Sequence, residues 1–151
     1  MKTARNLFIA ALAVVLLLAG CGGKKVDIVP ADAARTLLSE VAFRDTLIEA
    51  QGDVALQYYQ MDDKVTDFAV YISGSSATAE EIAVIRTSDL KAGRQILEKR
   101  LEELKFRFEN YVPAEMAKIE SPVIVAQGDA VVMVLADDIA EAQKAVDRLF
   151  Q

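Results

Sequence analysis

Two adjacent carboxylates, Glu80 and Glu81, follow the serine-rich stretch Ser73, Ser75 and Ser76, and they are the first residues with the makings of chemistry. Glycoside cleavage needs two carboxylates about 5–10 Å apart facing one pocket. Neighbours on a strand point to opposite faces, so this pair does not suit that task by itself. A hydrolase would need Glu81 to meet an acid from another segment, such as Asp129, Asp137 or Asp138. Taken alone, Glu80 and Glu81 read as structural or ligand-contacting groups. The chain has no histidine, no tryptophan and one cysteine, Cys21. That removes Ser-His-Asp and Cys-His catalysis, histidine-ligated zinc, a CxxC redox pair and an intramolecular disulfide. The three serines lack a base, and a turn of small polar residues explains them. Asp62, Asp63 and Asp67 resemble half of a calcium loop, but the glycine and the closing glutamate are missing, so they read as a solvated acidic loop. No nucleotide-binding glycine pattern is present. The residues therefore imply no catalytic group, no metal and no cofactor. Of the aromatics, Phe106 lies off the apolar stripe of its helix and is the best candidate for an exposed contact.

The elements that must position these groups follow from periodicity. Pro30 suits a first helical position, and Ala34, Leu37, Leu38 and Val41 recur at helical spacing, which predicts a helix over 30–41. Residues 43–50 read as a short strand or as irregular chain. Asp53 can cap a short helix to Gln60. Thr66–Ser73 alternates as a strand with Phe68, Val70 and Ile72 on one face, and Glu81–Arg86 reads as its partner. Ser88 or Asp89 can cap a long helix to Asn110, whose stripe is Leu90, Leu97, Leu101, Leu104, Phe108 and Tyr111. Its other face is charged and reads as solvated, with the pairs Arg94–Glu98, Lys99–Glu103, Glu103–Arg107 and Lys105–Glu109 each worth roughly 0.2–0.5 kcal/mol. Pro113 stops it. A second hairpin runs through Val123–Ala126, a turn at Gln127-Gly128-Asp129, and the continuously apolar stretch 130–136, which argues for burial on both faces. Asp137 or Asp138 caps a last helix to Phe150, with Ile139, Ala142, Val146 and Leu149 inward. Hairpins separated by helices predict an α+β two-layer sandwich. Its core is ββαββα, with an antiparallel sheet of about four strands and helices on one face.

The first twenty residues are different in kind. Lys2 and Arg5 precede an uncharged apolar run from Leu7 to Leu18, with no acid. This is the pattern of an export signal. The run is too short for the roughly 20 apolar residues of a membrane-spanning helix, and Gly20, Gly22, Gly23, Lys24 and Lys25 end it. Leu18-Ala19-Gly20-Cys21 resembles the lipobox of bacterial lipoproteins. That resemblance implies cleavage between Gly20 and Cys21 and a diacylglycerol on the Cys21 thiol. The chain then divides into a signal peptide over 1–20, a lipidated cysteine with a flexible tether over 21–29, and one α+β domain over 30–151. Removing residues 1–20 takes away Lys2 and Arg5 and leaves 131 residues with a net charge of −8. An acidic, exported domain excludes nucleic acid as a partner.

The mature part is similar to a family of bacterial lipoproteins known as domain-of-unknown-function family 4358. The matching stretches are Tyr58-Tyr59-Gln60-Met61-Asp62, Ala79-Glu80-Glu81-Ile82-Ala83-Val84-Ile85, Tyr111-Val112-Pro113, and Gly128 followed by Val131-Val132. The resemblance implies a lipid-anchored envelope protein, seen mostly in Gram-positive anaerobes, and carries over no catalytic residue. The expectation is a membrane-tethered, non-enzymatic module on the outer face of the cell membrane, binding an envelope protein or ligand. A carboxylate-based wall-glycan hydrolase and a small solute-binding lipoprotein are the alternatives.

Overall fold

A computed structural model describes residues 27–151. Cys21, the cleavage point after Gly20 and most of the tether lie outside the described residues. The described residues form a five-stranded, wholly antiparallel sheet and five α-helices. In chain order these are α1 (Pro30–Glu40), β1 (Leu47–Glu49), α2 (Asp53–Tyr59), β2 (Val65–Ser73), β3 (Glu81–Thr87) and α3 (Leu90–Phe108). A 3-10 turn (Pro113–Glu115), α4 (Met116–Glu120), β4 (Val123–Gln127), β5 (Ala130–Leu135) and α5 (Ile139–Leu149) complete it. No described helix is long and apolar enough to cross a membrane.

The α+β class and the antiparallel hairpins stand, with two corrections. The ambiguous segment 43–50 contributes β1, so the sheet has five strands in the order β1-β2-β3-β5-β4. Helices cover both faces of the sheet rather than one. On one side Ala69, Ile82, Val84, Val132 and Val134 pack against Ala34 and Leu37 of α1 and Ala142, Ala145 and Val146 of α5. On the other, Val70, Ala83, Ile85, Val131 and Met133 pack against Ala55 and Tyr59 of α2 and Ile96, Leu97 and Leu104 of α3. The physical reason is visible in β3 and β5. Every residue of β5 is buried, and six of the seven residues of β3 are. A strand apolar at successive positions exposes half its side chains unless both faces are covered, and each buried valine or isoleucine contributes about 1.5–3 kcal/mol.

Three local readings are also revised. Tyr111, placed on the buried stripe of the long helix, is 89% exposed, because α3 ends at Phe108 and the chain turns before it. Ile139 is 43% exposed, since it opens α5 beyond the sheet edge, and Ala145 takes the inward position instead. The charged face of α3 is not all solvated: Arg100 is buried. Glu103 lies 3.5 Å from Arg100 and accepts from the Gln60 amide at 2.6 Å, rather than pairing with Lys99 or Arg107.

Two of the caps behave as read, whereas Asp53 does not cap α2: it stands inside that helix, whose N-cap is Gly52 with no side-chain hydrogen bond. The Asp89 carboxylate accepts from the backbone N–H of Lys91 and Ala92 and opens α3, and Asp138 accepts from Glu141 N–H and opens α5. Asp89 also takes the Lys64 ammonium at 2.9 Å, and that hydrogen bond is the main reason its carboxyl sits below the usual range.

Candidate functional site

The two ends of the sheet are chemically distinct. At one end β3 and β5 begin their pairing with Arg86 opposite Ala130, and Arg86 binds Asp129 at 3.0 Å and Asp27 at 2.5 Å. At the other end Glu81 lies opposite Leu135. Five strand steps separate Glu81 from Arg86, roughly 17 Å. The long helix α3 starts beside the Arg86 end and returns across the sheet, so its C-terminal half faces the turn between β2 and β3. A cleft forms there.

Glu81 and Glu80 make the base of that cleft. Both are buried, at 2% and 1% exposure. Glu81 has the inward parity of Ala83 and Ile85, so its carboxylate must find a partner beneath α3. It receives two parallel hydrogen bonds from the Arg100 guanidinium, Nε to Oε1 at 2.9 Å and Nη2 to Oε2 at 2.8 Å, and a third from the Tyr59 hydroxyl. The Arg100 guanidinium carbon lies 5.2 Å from the Tyr58 ring centre and 5.5 Å from that of Tyr59. Paired, stacked and bidentate is the arrangement in which a buried guanidinium is tolerated. Burial works to lower the Arg100 pKa, but its hydrogen bonds and charge contact with Glu81 outweigh this and raise it. Burial, reinforced by the Glu81 charge, pushes the Tyr59 phenol well above its usual value. Both groups hold their protons throughout the physiological range.

Glu80 points elsewhere, as strand alternation requires. Its carboxylate accepts from the backbone N–H groups of Arg44 and Asp45 at 2.9 Å each, and from the Thr78 hydroxyl at 3.2 Å. It therefore clamps the loop before β1 onto the sheet. A second buried ionic group closes the same end. Glu115 accepts from the Ala79 N–H at 2.9 Å and from the Lys118 ammonium at 2.7 Å, and Lys118 reaches Asp137 at 2.9 Å. Burial draws the Lys118 pKa down, but Glu115 and Asp137 hold it above its ordinary value. Asp45 binds the hydroxyls of Ser73 and Ser75 and the Ser75 N–H, and these hydrogen bonds lower its carboxyl to about 2. Ser73 and Ser75 thus serve the Asp45 carboxylate.

The acids weighed for hydrolysis are not brought together. Asp129 pairs with Arg86 at the far end of the sheet, Asp137 is held by Lys118, and Asp138 caps α5. Asp62 accepts from Lys64 N–H within its own turn. Among the described residues no cluster of three metal-ligating side chains occurs. Phe106 is 83% exposed and borders a separate open hollow with Gln60, Lys99, Glu102 and Glu103.

The cleft has an inner space of about 70 Å³ under Thr78 and Leu104. An adjoining hollow of about 260 Å³ shares Ser76, Arg107 and Phe108 with it and is completed by Tyr111 and Val112. Ser76 has φ 58°, a left-handed conformation that costs a non-glycine residue, at the rim of this opening. The sequence did not single out Arg100, Asp45, Glu115 and Lys118; it offered Arg107 only as the surface partner of Glu103 and Tyr59 only as one of several aromatics. Arg100 carried a signal: it stands between Leu97 and Leu104 at spacings of three and four, on the buried stripe. The model of a family described as "Domain of unknown function (DUF4358)" matches residues 48–136. No curated protein and no solved structure matches the chain.

Proposed function

We propose that this chain, which belongs to the DUF4358 family, is a lipid-anchored extracytoplasmic module that binds an envelope partner and catalyses no reaction. Cys21, preceded by an export signal, carries the lipid; one acyl chain gives marginal membrane binding and two hold stably. The protein then sits on the outer face of the cell membrane, with no cofactor beyond the covalent lipid.

The observation that carries this reading is Leu18-Ala19-Gly20-Cys21 at the end of an acid-free apolar run, and an anchor there fixes how the domain would sit. Asp27 is tied to Arg86, at the end of β3 remote from Glu80 and Glu81. A chain anchored at Cys21 has six residues to reach Asp27, which span at most about 22 Å. The Arg86 end therefore lies near the lipid, and the cleft beside Ser76 and Tyr111 faces outward. The buried acids weigh against carboxylate catalysis, because each is already engaged in a structural hydrogen bond or ion pair.

The test is the state of residue 21. Intact mass measurement of the native protein should find a chain beginning at a diacylglycerol-modified Cys21, and C21S should move the domain from the membrane to the soluble fraction. A full-length chain with an unmodified thiol in the cytosol would overturn the reading.

A further inference from the structure

The outward cleft has a chemical bias. Arg107 lines both its inner and outer parts and takes no share in the ion pairs among the described residues. Its guanidinium carbon lies 5.6 Å from the Phe108 ring centre, which holds the head over an apolar wall. The remaining charges of the lining are spoken for: Glu81 binds Arg100, and Glu80 binds two backbone N–H groups and Thr78. Neither carboxylate is free to neutralise Arg107 or to receive a cation. Ser76 lines both parts, Tyr58 the inner one, and Tyr111, almost fully exposed, the outer one.

A planar guanidinium with no acidic partner among the described residues, backed by an aromatic ring beside hydroxyl-bearing residues, fits an oxyanion, and the two coplanar oxygens of a carboxylate on a compact body with an apolar side meet it edge to edge. The size agrees. A space of about 260 Å³ is smaller than the usual pocket for a large organic ligand, which begins near 300 Å³, and suits a peptide terminus or a single sugar acid. We infer that the cleft between the β2–β3 turn and α3 binds a small carboxylate-bearing ligand, with Arg107 pairing its carboxylate and Phe108 and Tyr111 packing its apolar side. The inference names the ligand class for the module proposed above and so rests on that reading.

The experiment titrates the protein as purified from membranes, in detergent micelles, followed by NMR and calorimetry. The probes are an acetylated tripeptide with a free C-terminal carboxylate, its C-terminal amide, a hexuronic acid and the matching neutral hexose. The expected result is that one acid binds at least about tenfold more tightly than its neutral counterpart, and that the arm in which this happens separates a peptide source from a sugar source. R107M should abolish that preference while its melting temperature stays with the parent, because Arg107 makes no buried contact that the fold needs. R107K should retain part of it. Equal binding of acid and neutral forms, no binding by either acid at about 10 mM, or an unchanged preference in R107M would each overturn the inference. Loss of the inference in a chain that remains lipidated at Cys21 leaves the anchored-module reading standing; an unlipidated cytosolic chain removes that reading whatever the cleft binds.

Discussion

Arg100 illustrates how one residue can be both buried and necessary. Its guanidinium neutralises Glu81 in a region neither charge could occupy alone. Removing one partner of such a pair leaves an uncompensated buried charge, typically a loss of about 3–5 kcal/mol. R100M should therefore lower the unfolding free energy by about that much in urea titrations, and the double variant E81L/R100M should recover most of it. A loss below about 1 kcal/mol for R100M would mean that water reaches Glu81. Asp45 makes a prediction of a different kind. Folding lowers its carboxyl from an ordinary value near 4 to about 2, through the Ser73 and Ser75 hydroxyls. A depressed acid stabilises fully above its unfolded pKa and ceases to as pH falls through the folded one. The stability gap between the native protein and D45N should be constant above about pH 4 and close between about pH 4 and 2. A gap that persists at about pH 2 would show that the serines bind the side chain whether or not it is charged. Glu80 and Glu81 stood out in the sequence as an acid pair, yet their separate partners did not, because those partners come from residues 44–45, 59 and 100, which are distant in the chain.

At the scale of elements, α3 lies against the sheet through a close approach at Gly93. A Cβ added there would come within 2.8 Å of a Val131 methyl and 2.9 Å of the Thr87 methyl. Both neighbours are buried branched side chains with little room to turn. Overpacking of this kind costs about 1–3 kcal/mol, and the better helix propensity of alanine returns up to about 1 kcal/mol. G93A should thus be less stable than the native protein by up to about 2 kcal/mol, measured by thermal unfolding. An unchanged or raised melting temperature would show that α3 can lift off β5 freely. The strands and helices themselves were legible, because a period of two or of 3.6 needs only local residues. The face each helix takes was not. A continuous apolar run such as 130–136 announces double burial without saying which helices supply it. The stripe on 90–111 located Leu97, Leu104 and Phe108 but misplaced Tyr111, since a helix end is decided by where the chain turns.

For the whole molecule, Asp27, the first described residue, and the cleft lie at opposite ends of the sheet, so the proposed anchor fixes an orientation. Proteoliposomes carrying a headgroup-bound quencher test this orientation. A fluorophore attached through Q127C, beside the Arg86–Asp129 end, should be quenched more strongly than one attached through A77C, beside the cleft. Equal or reversed quenching would mean that the domain lies on its side or is inverted.

The residues alone determined the class of fold, the order of its main helices and two hairpins, and the expectation of an export signal ending just before Cys21, because each of these is written in neighbouring positions. They also excluded histidine and disulfide chemistry by composition. Only the tertiary structure decided that helices cover both faces, that Glu81 belongs to Arg100 and Glu80 to a loop, and that Arg107 stands unpaired at an open cleft. Those outcomes depend on which distant side chains share a low-dielectric space. A charge there must meet its opposite or face water, and the chain order does not say which.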